Sequence, residues 1–364
     1  MPRYTPLVAS LPSTVPFVGP ETQERIQGHA FVARLGANES VFGPSPKAIA
    51  AMQEAASGAW TYGEPENYDL KQALATHHGV APDNIVVGEG IDGLLGYLVR
   101  MFVSEGTNVI TSDGAYPTFN FHVAGFGGNL IKVPYNNDHE DPEAVLEQAQ
   151  EHDAALVYFA NPDNPMGSCV NAETVQSLID RLPGDAVLCL DEAYCDFAPE
   201  GTIPAIDVSQ PNVIRMRTFS KGYGLAGIRI GYGIAHQDLA IAFNKVRNHF
   251  GVNKIGQAGA LAALQDQAYL ADIKQQVSDA KERISDIARA NGLSPLPSAT
   301  NFVTIDCGKD DTYARALVGA LGEEGIFVRM PFAHPGNRCI RVSAGRPQDL
   351  DLFEAALPKA LARI

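Results

Sequence analysis

Lys221 lies in the run Thr218-Phe219-Ser220-Lys221-Gly222-Tyr223-Gly224-Leu225-Ala226-Gly227-Ile228-Arg229. A lysine held among small residues can condense with an aldehyde to form a Schiff base. The hydroxyls of Thr218 and Ser220, with Arg229 further on, can hold a phosphate through charge-assisted hydrogen bonds. A small molecule that carries both an aldehyde and a phosphate is pyridoxal phosphate. It requires of its protein a Schiff-base lysine and a partner for the pyridinium nitrogen. Taken alone, the same run is equally a lysine on a glycine-rich surface turn, so the reading depends on what lies upstream.

Two upstream segments supply the partners in order. The apolar run from Ala154 to Ala160 reads as a buried parallel strand. It is followed by Asn161-Pro162-Asp163-Asn164-Pro165-Met166-Gly167, whose two Asn-Pro pairs and glycine force a turn that can aim the Asn164 amide at a ring oxygen. A second apolar run, Ala186 to Leu190, ends in Asp191-Glu192-Ala193-Tyr194. A carboxylate at the end of a buried strand is costly unless it is paired. A protonated pyridine nitrogen is such a pair for Asp191, and an opposite charge at contact shifts a pKa by about 1–3 units toward the charged form. That pairing keeps the ring cationic and able to accept electrons. Tyr194, three residues on, can reach the phenolic oxygen of the same ring. Singly, Asp191 also reads as a helix N-cap and Tyr194 as ordinary packing; neither alternative explains the order of the motifs.

These residues need a scaffold, and the pattern between about 84 and 250 predicts one. Short apolar strands at Ile85–Val87, Asn108–Thr111, Leu130–Val133, Leu156–Ala160, Val187–Leu190, Val213–Arg217 and Ile228–Ile234 alternate with helical stretches. Such alternation predicts a mostly parallel sheet with helices on both faces. Ligands bind these sheets at the carboxyl ends of the strands, where Asn164 and Asp191 fall. Gly88-Glu89-Gly90-Ile91-Asp92-Gly93 follows a strand and precedes a helix from Leu94 to Phe102. Free N–H groups and the dipole at that helix start favour an anion, although the motif by itself is weak. Helices are predicted from Pro46 to about Ser57, from Leu70 to His78 and over about 266–291, with further strands at Asn301–Ile305, Ile326–Arg329 and Cys339–Ser343. Residues 1 to about 30 read as an extended, proline-punctuated arm. The expected organisation is an N-terminal arm (1–45) joining a small domain, a large α/β domain (46–265) and a small α+β domain (266–364).

Composition sets bounds. The chain has 364 residues, 45% hydrophobic and 19% charged, as in a soluble globular protein. The net charge of −15 disfavours nucleic acid as a partner. The five cysteines form no close metal-binding set, so no metal is expected, and a reducing cytoplasm is the expected location. Prolines 2, 6, 12, 16 and 20 break any apolar leader. No run is long and apolar enough to span a membrane. His77 and His78 end a predicted helix, where imidazolium suits the dipole better than a metal role.

The motifs together resemble the fold-type I pyridoxal-phosphate enzymes and, within them, the histidinol-phosphate aminotransferase family. The likeness runs from Arg34-Leu35-Gly36-Ala37-Asn38-Glu39-Ser40 and Tyr62-Gly63-Glu64-Pro65 through Tyr116-Pro117-Thr118 and the motifs above to Ile340-Arg341-Val342-Ser343-Ala344-Gly345. The resemblance implies a three-layer α/β sandwich with a mostly parallel central sheet plus a smaller α+β domain. It places the phosphate on Gly90, Ile91 and Asp92, where Ile91-Asp92-Gly93 replaces the more usual Ser-Asp-Glu and one hydroxyl is lost. It implies that Tyr116 stacks on the ring, and that Tyr62 reaches the phosphate of a second subunit in a homodimer with shared sites. It assigns Arg341 to the substrate α-carboxylate and Arg329 to the distal substrate group; a surface salt bridge is an equal reading for Arg329. Pro16-Phe17 stands where the family has Pro-Tyr, and the lost hydroxyl points away from histidinol phosphate itself as substrate. The implied reaction is aminotransfer between an amino acid, or an amine like one, and a 2-oxo acid, with Lys221, Asp191 and Tyr194 catalytic. The alternatives are a decarboxylase resembling threonine-phosphate decarboxylase and a non-catalytic pyridoxal-phosphate-binding module.

Overall fold

The computed structural model describes residues 2–13 and 18–364. Twelve strands occur among them: β1 (Ala33–Arg34), β2 (Ile85–Gly88), β3 (Asn108–Ser112), β4 (Asn129–Val133), β5 (Leu156–Ala160), β6 (Val187–Asp191), β7 (Val213–Thr218), β8 (Gly231–Ala235), β9 (Ser294–Pro295), β10 (Phe302–Asp306), β11 (Ile326–Phe327) and β12 (Cys339–Ser343). Seven form the large sheet in the order β2-β8-β7-β6-β5-β3-β4. Its pairings are parallel except those made by β8, which runs antiparallel to β2 and β7. Strands β5 and β6 are buried at every position, which is why they read as continuous apolar runs rather than as alternating ones. Leu94, Leu98 and Phe119 belong to one apolar cluster on this sheet and Val145, Leu178 and Leu188 to another.

A separate core forms around the three-stranded sheet β12-β10-β9, with Ile284, Leu317 and Phe353 in its interior. The segment before residue 46 contributes to it: β1 pairs in parallel with β11, and Ala33 and Leu35 lie in the same cluster. Arg338 ties the two sheets together. Its guanidinium donates to Asp138 Oδ1 and Oδ2 at 2.9 and 2.8 Å and to Asp306 Oδ2 at 2.8 Å.

Three local expectations need correction. The N-terminal arm is not extended throughout: Pro6–Ser10 and Pro20–Gln27 are helices. Proline has no N–H to lose at the first helical position, so it starts these helices rather than breaking them, and the Thr5 hydroxyl accepts from Val8 N–H as a cap. Strand β8 begins at Gly231, not Ile228. Residues Ala226–Ile228 form a 3₁₀ turn, and Arg229 is left-handed with φ 57°. Strand β11 stops at Phe327, although Arg329 and Arg341 make an isolated antiparallel bridge.

Candidate active site

The parallel strands β5, β6 and β7 end on the same side, and their last residues open into a cavity of about 430 Å³. Asn164 and Asp191 line it from the first two strand ends; Thr218, Ser220 and Lys221 line it from the third. Ile91, Asp92, Tyr116, Tyr194 and Arg229 complete the inner wall, and Arg329 and Arg341 reach it from the C-terminal unit. The structure thus gathers residues spread over more than two hundred positions of chain. Gly90 sits behind this wall. Its φ of 78° suits glycine, and a Cβ there would run into Arg229 Nη2. Tyr62 is outside the lining: it is 80% exposed, and its ring packs on Phe250 with centroids 4.9 Å apart. Phe17 lies outside the described residues.

The phosphate-type end is built from local geometry. The helix Gly90–Phe102 starts four residues earlier than its apolar pattern suggests, which brings the Gly90, Ile91 and Asp92 N–H groups into its first turn. Opposite them, Thr218 Oγ1 donates to Ser220 Oγ at 2.9 Å, and Arg229 Nη1 approaches Ser220 Oγ at 3.4 Å. The Asp92 carboxylate is turned to His122 Nε2 at 3.2 Å.

The other end is dominated by buried charge. Asp191 is 5% exposed; its Oδ2 accepts from the Tyr158 hydroxyl at 2.6 Å and its Oδ1 from Ala193 N–H at 2.9 Å. Burial pushes this carboxyl up, and the Tyr158 and Ala193 hydrogen bonds pull it only partly back. Lys221 Nζ donates to the Asn38 carbonyl at 3.1 Å and stands 5.5 Å from the Tyr194 ring centre. Burial, with the nearby Arg341 charge adding to it, brings this amine down to about 8. Arg341 Nη1 donates to Asn164 Oδ1, while its Nε is buried without a hydrogen-bond partner. Burial lowers this guanidinium to about 10. Arg329 Nη2 donates to the Val18 carbonyl at 3.0 Å. Tyr116 caps the helix Pro117–Gly125, and burial raises its hydroxyl above the ordinary value.

Two residues of the site carry no role in the sequence reading. Asn38 is 2% exposed with φ 55°. Its Nδ2 donates to the Tyr194 hydroxyl at 3.0 Å, its Oδ1 accepts from Ser343 Oγ at 2.9 Å, and its carbonyl accepts from Asn301 Nδ2 at 3.0 Å as well as from Lys221. Asparagine tolerates the left-handed region better than most residues, and this was the one signal available in Gly36-Ala37-Asn38. Tyr158, hidden mid-strand in an apolar run, gave no signal at all.

The donor set fits an anionic, ring-bearing cofactor. Backbone N–H groups, two hydroxyls and Arg229 converge at one end. At the other, a buried carboxyl without a cation in hydrogen-bond contact faces the same cavity as a depressed lysine amine. A family model, aminotransferase class I and II, matches residues 32–357. The chain is 54% identical to a histidinol-phosphate aminotransferase from Sinorhizobium meliloti solved in complex with pyridoxal-5'-phosphate. That likeness covers 100% of this chain and 98% of the other, with a TM-score of 0.98. It is 32% identical to a histidinol-phosphate aminotransferase from Moorella thermoacetica, over 100% of this chain and 94% of that protein. An aspartate aminotransferase from Thermus thermophilus with maleate, 20% identical and covering 99% of this chain and 100% of the other, shares the fold with a TM-score of 0.82. By its family match, its relatives and the side chains gathered at its strand ends, the chain belongs to the class I and II aminotransferases.

Proposed function

We propose that this aminotransferase binds pyridoxal phosphate at the strand ends and moves an amino group from an amino acid, or an amine resembling one, to a 2-oxo acid, using the residues assigned below. The observation that carries the assignment is the pair Lys221 and Asp191, which line one cavity: a half-buried amine whose Nζ donates to the Asn38 carbonyl, and a buried carboxyl with no cation in hydrogen-bond contact. When bound, pyridoxal phosphate supplies an electrophilic aldehyde and a ring that takes up electron density from the substrate Cα. The first-turn N–H groups of Gly90, Ile91 and Asp92, with Thr218, Ser220 and Arg229, hold its phosphate. The Asp191 carboxylate would hold a proton on the ring nitrogen of the bound cofactor and would be stabilised in its ionised form by that pairing. With the cofactor bound, Asn164 and Tyr194 would serve its phenolic oxygen and Tyr116 would pack on its ring; all three line the cavity. Lys221 Nζ would take the proton from the substrate Cα and pass it to the cofactor carbon that bore the aldehyde, leaving the lysine free to repeat the steps in reverse with the 2-oxo acid. Arg341 grips the substrate carboxylate through a two-pronged guanidinium contact, and Arg329 faces the distal group.

The chain acts in the cytoplasm as a homodimer on this reading. Its five cysteines are free, and Tyr62 and Phe250, packed ring on ring at 80 and 56% exposure, form an exposed aromatic pair suited to a second copy. Across that contact Tyr62 reaches the neighbouring phosphate. Histidinol phosphate, named in the relatives, is the first donor to test against the expectation drawn from Phe17. Mixing the cofactor-loaded enzyme with single amino donors should convert the bound cofactor to its amine form, followed by loss of the visible absorbance. Carbon dioxide release without that conversion would overturn aminotransfer. Hybrids of a Tyr62→Ala subunit with a Lys221→Ala subunit should regain close to one working site per dimer; a fully active monomer would end the shared-site assignment.

A further inference from the structure

Glu140 and Asp163 are 4% and 2% exposed, side by side behind the turn that carries Asn164. Their other partners are neutral. Glu140 Oε2 accepts from Ala160 N–H at 3.1 Å. Asp163 Oδ1 accepts from the Tyr135 hydroxyl at 2.9 Å and its Oδ2 from Met166 N–H at 3.0 Å. Glu140 Oε1 is buried with no N–H or O–H donating to it, and the Glu140 side chain is in hydrogen-bond contact with the Asp163 carboxyl. Two carboxyl oxygens can hydrogen-bond only through a proton that one of them carries, and two buried carboxylates in contact cannot both ionise without a large cost.

We propose that Glu140 and Asp163 share one proton and act together as positioning residues for Asn164 and Arg341. The backbone groups they hold bracket the turn: Ala160 ends β5, and Met166 lies two residues past Asn164. Asn164 in turn accepts from Arg341 Nη1. The other end of the clamp is anchored as well, because Asp138, just before Glu140, is held by Arg338 of the C-terminal unit. The clamp therefore joins the turn bearing the cofactor-facing Asn164 to the unit bearing the substrate-facing Arg341. This inference rests on the cofactor role given above to Asn164 and the substrate role given to Arg341.

The charged and titratable groups facing the pair are Tyr135, Tyr158, Asp191 and Arg341, with Asp113 beside Tyr135. Burial, then the Asp163 charge, pushes the Glu140 carboxyl well up. A carboxyl raised in the folded state adds stability that is whole below its unfolded value of about 4.3 and is lost as pH rises toward the folded value.

The test uses the cofactor-loaded enzyme with Glu140→Gln, whose amide keeps a donor toward Asp163, and Glu140→Leu, which does not. The wild-type minus Glu140→Gln infrared difference spectrum at neutral pH should show a protonated-carboxyl C=O stretch. Wild-type stability should fall relative to Glu140→Gln as pH rises above about 5. Glu140→Leu should raise KM for the amino donor by about tenfold with a smaller change in kcat, and Glu140→Gln should restore KM to within about twofold. Absence of the carboxyl band, or equal KM values in the two variants, overturns the proposal. If Glu140→Leu does not fold, the band and the pH-dependent stability gap still decide whether the proton is shared. Both readouts are independent of aminotransfer, so failure of the proposed reaction would leave them standing.

Discussion

Asp191 and Glu192 are adjacent in the chain and both nearly inaccessible, at 5% and 1% exposure, yet they solve opposite problems. Glu192 Oε1 accepts from Arg215 Nη2 at 2.6 Å, and its Oε2 accepts from Arg217 Nε at 2.7 Å. Burial pushes this carboxyl up, but the Arg217 and Arg215 charges outweigh it and hold it below the ordinary range. Asp191 faces the other side of the same strand end with only a hydroxyl and one N–H, and burial leaves it raised. Side-chain alternation at the end of β6 sends one carboxylate into a network the chain completes itself and the other into a cavity where the counter-charge must come from outside. A carboxylate whose partner is missing from the chain marks the ligand side.

The sharpest way to break that contrast is to remove each charge in turn. Asp191→Asn should leave cofactor binding through the phosphate largely intact and slow α-proton removal on the order of 10²–10⁴-fold in single-turnover measurements. Near-normal half-reaction rates would reduce Asp191 to a residue that braces the turn through Ala193 N–H. Glu192→Gln should do the reverse. The buried Arg215 and the partly buried Arg217 lose their shared carboxylate at a cost of about 3 kcal/mol of stability by denaturant unfolding, while the folded fraction keeps its half-reaction rate. If Glu192→Gln is as catalytically damaged as Asp191→Asn, the two sides of the strand are not functionally separate.

Lys221, like Asp191, has no ion-pair partner in hydrogen-bond contact, and its stability effect has a definite sign. A lysine brought down to about 8 on folding adds least stability below pH 8, where the folded protein must protonate a buried amine. Stability is recovered as pH rises toward the unfolded value of about 10.4. In the cofactor-free protein, Lys221→Met should therefore be more stable than wild type by on the order of 2 kcal/mol at pH 7. The difference should shrink between pH 8 and about 10.4, as pH-resolved unfolding would show. The smallest effect concerns Tyr158. Tyr158→Phe removes one of the two hydrogen bonds to Asp191 and should slow the half-reaction about tenfold, equivalent to one bond to a charged group. An unchanged rate would mean that Ala193 N–H alone orients the carboxylate.

Much of this was legible without coordinates because it is written in local order. Strands β5 and β6 were readable as unbroken apolar runs, and Leu156–Ala160 falls on the same residues in the structure. The turn at Asn161-Pro162 and the carboxylate after Leu190 follow from backbone restriction and the cost of burial, both properties of short segments. The arm at Pro6–Ser10 and Pro20–Gln27 was misjudged because a proline that ends one helix starts another equally well, and only its position relative to the first turn decides which.

What sequence alone determined is the inventory: a lysine between hydroxyls, a carboxylate at a strand end, an asparagine in a forced turn, and arginines near the C-terminus. What only the tertiary structure decided is which groups satisfy one another. Asn38 hydrogen-bonds to Tyr194, Ser343, Asn301 and Lys221. Tyr158 turns out of an apolar strand to Asp191, and Glu140 meets Asp163 across twenty-three residues of chain. Such pairings depend on strand register and on the packing of one sheet against another. A polar side chain in a sequence shows that it will need a partner if buried, but the partner is set by the fold.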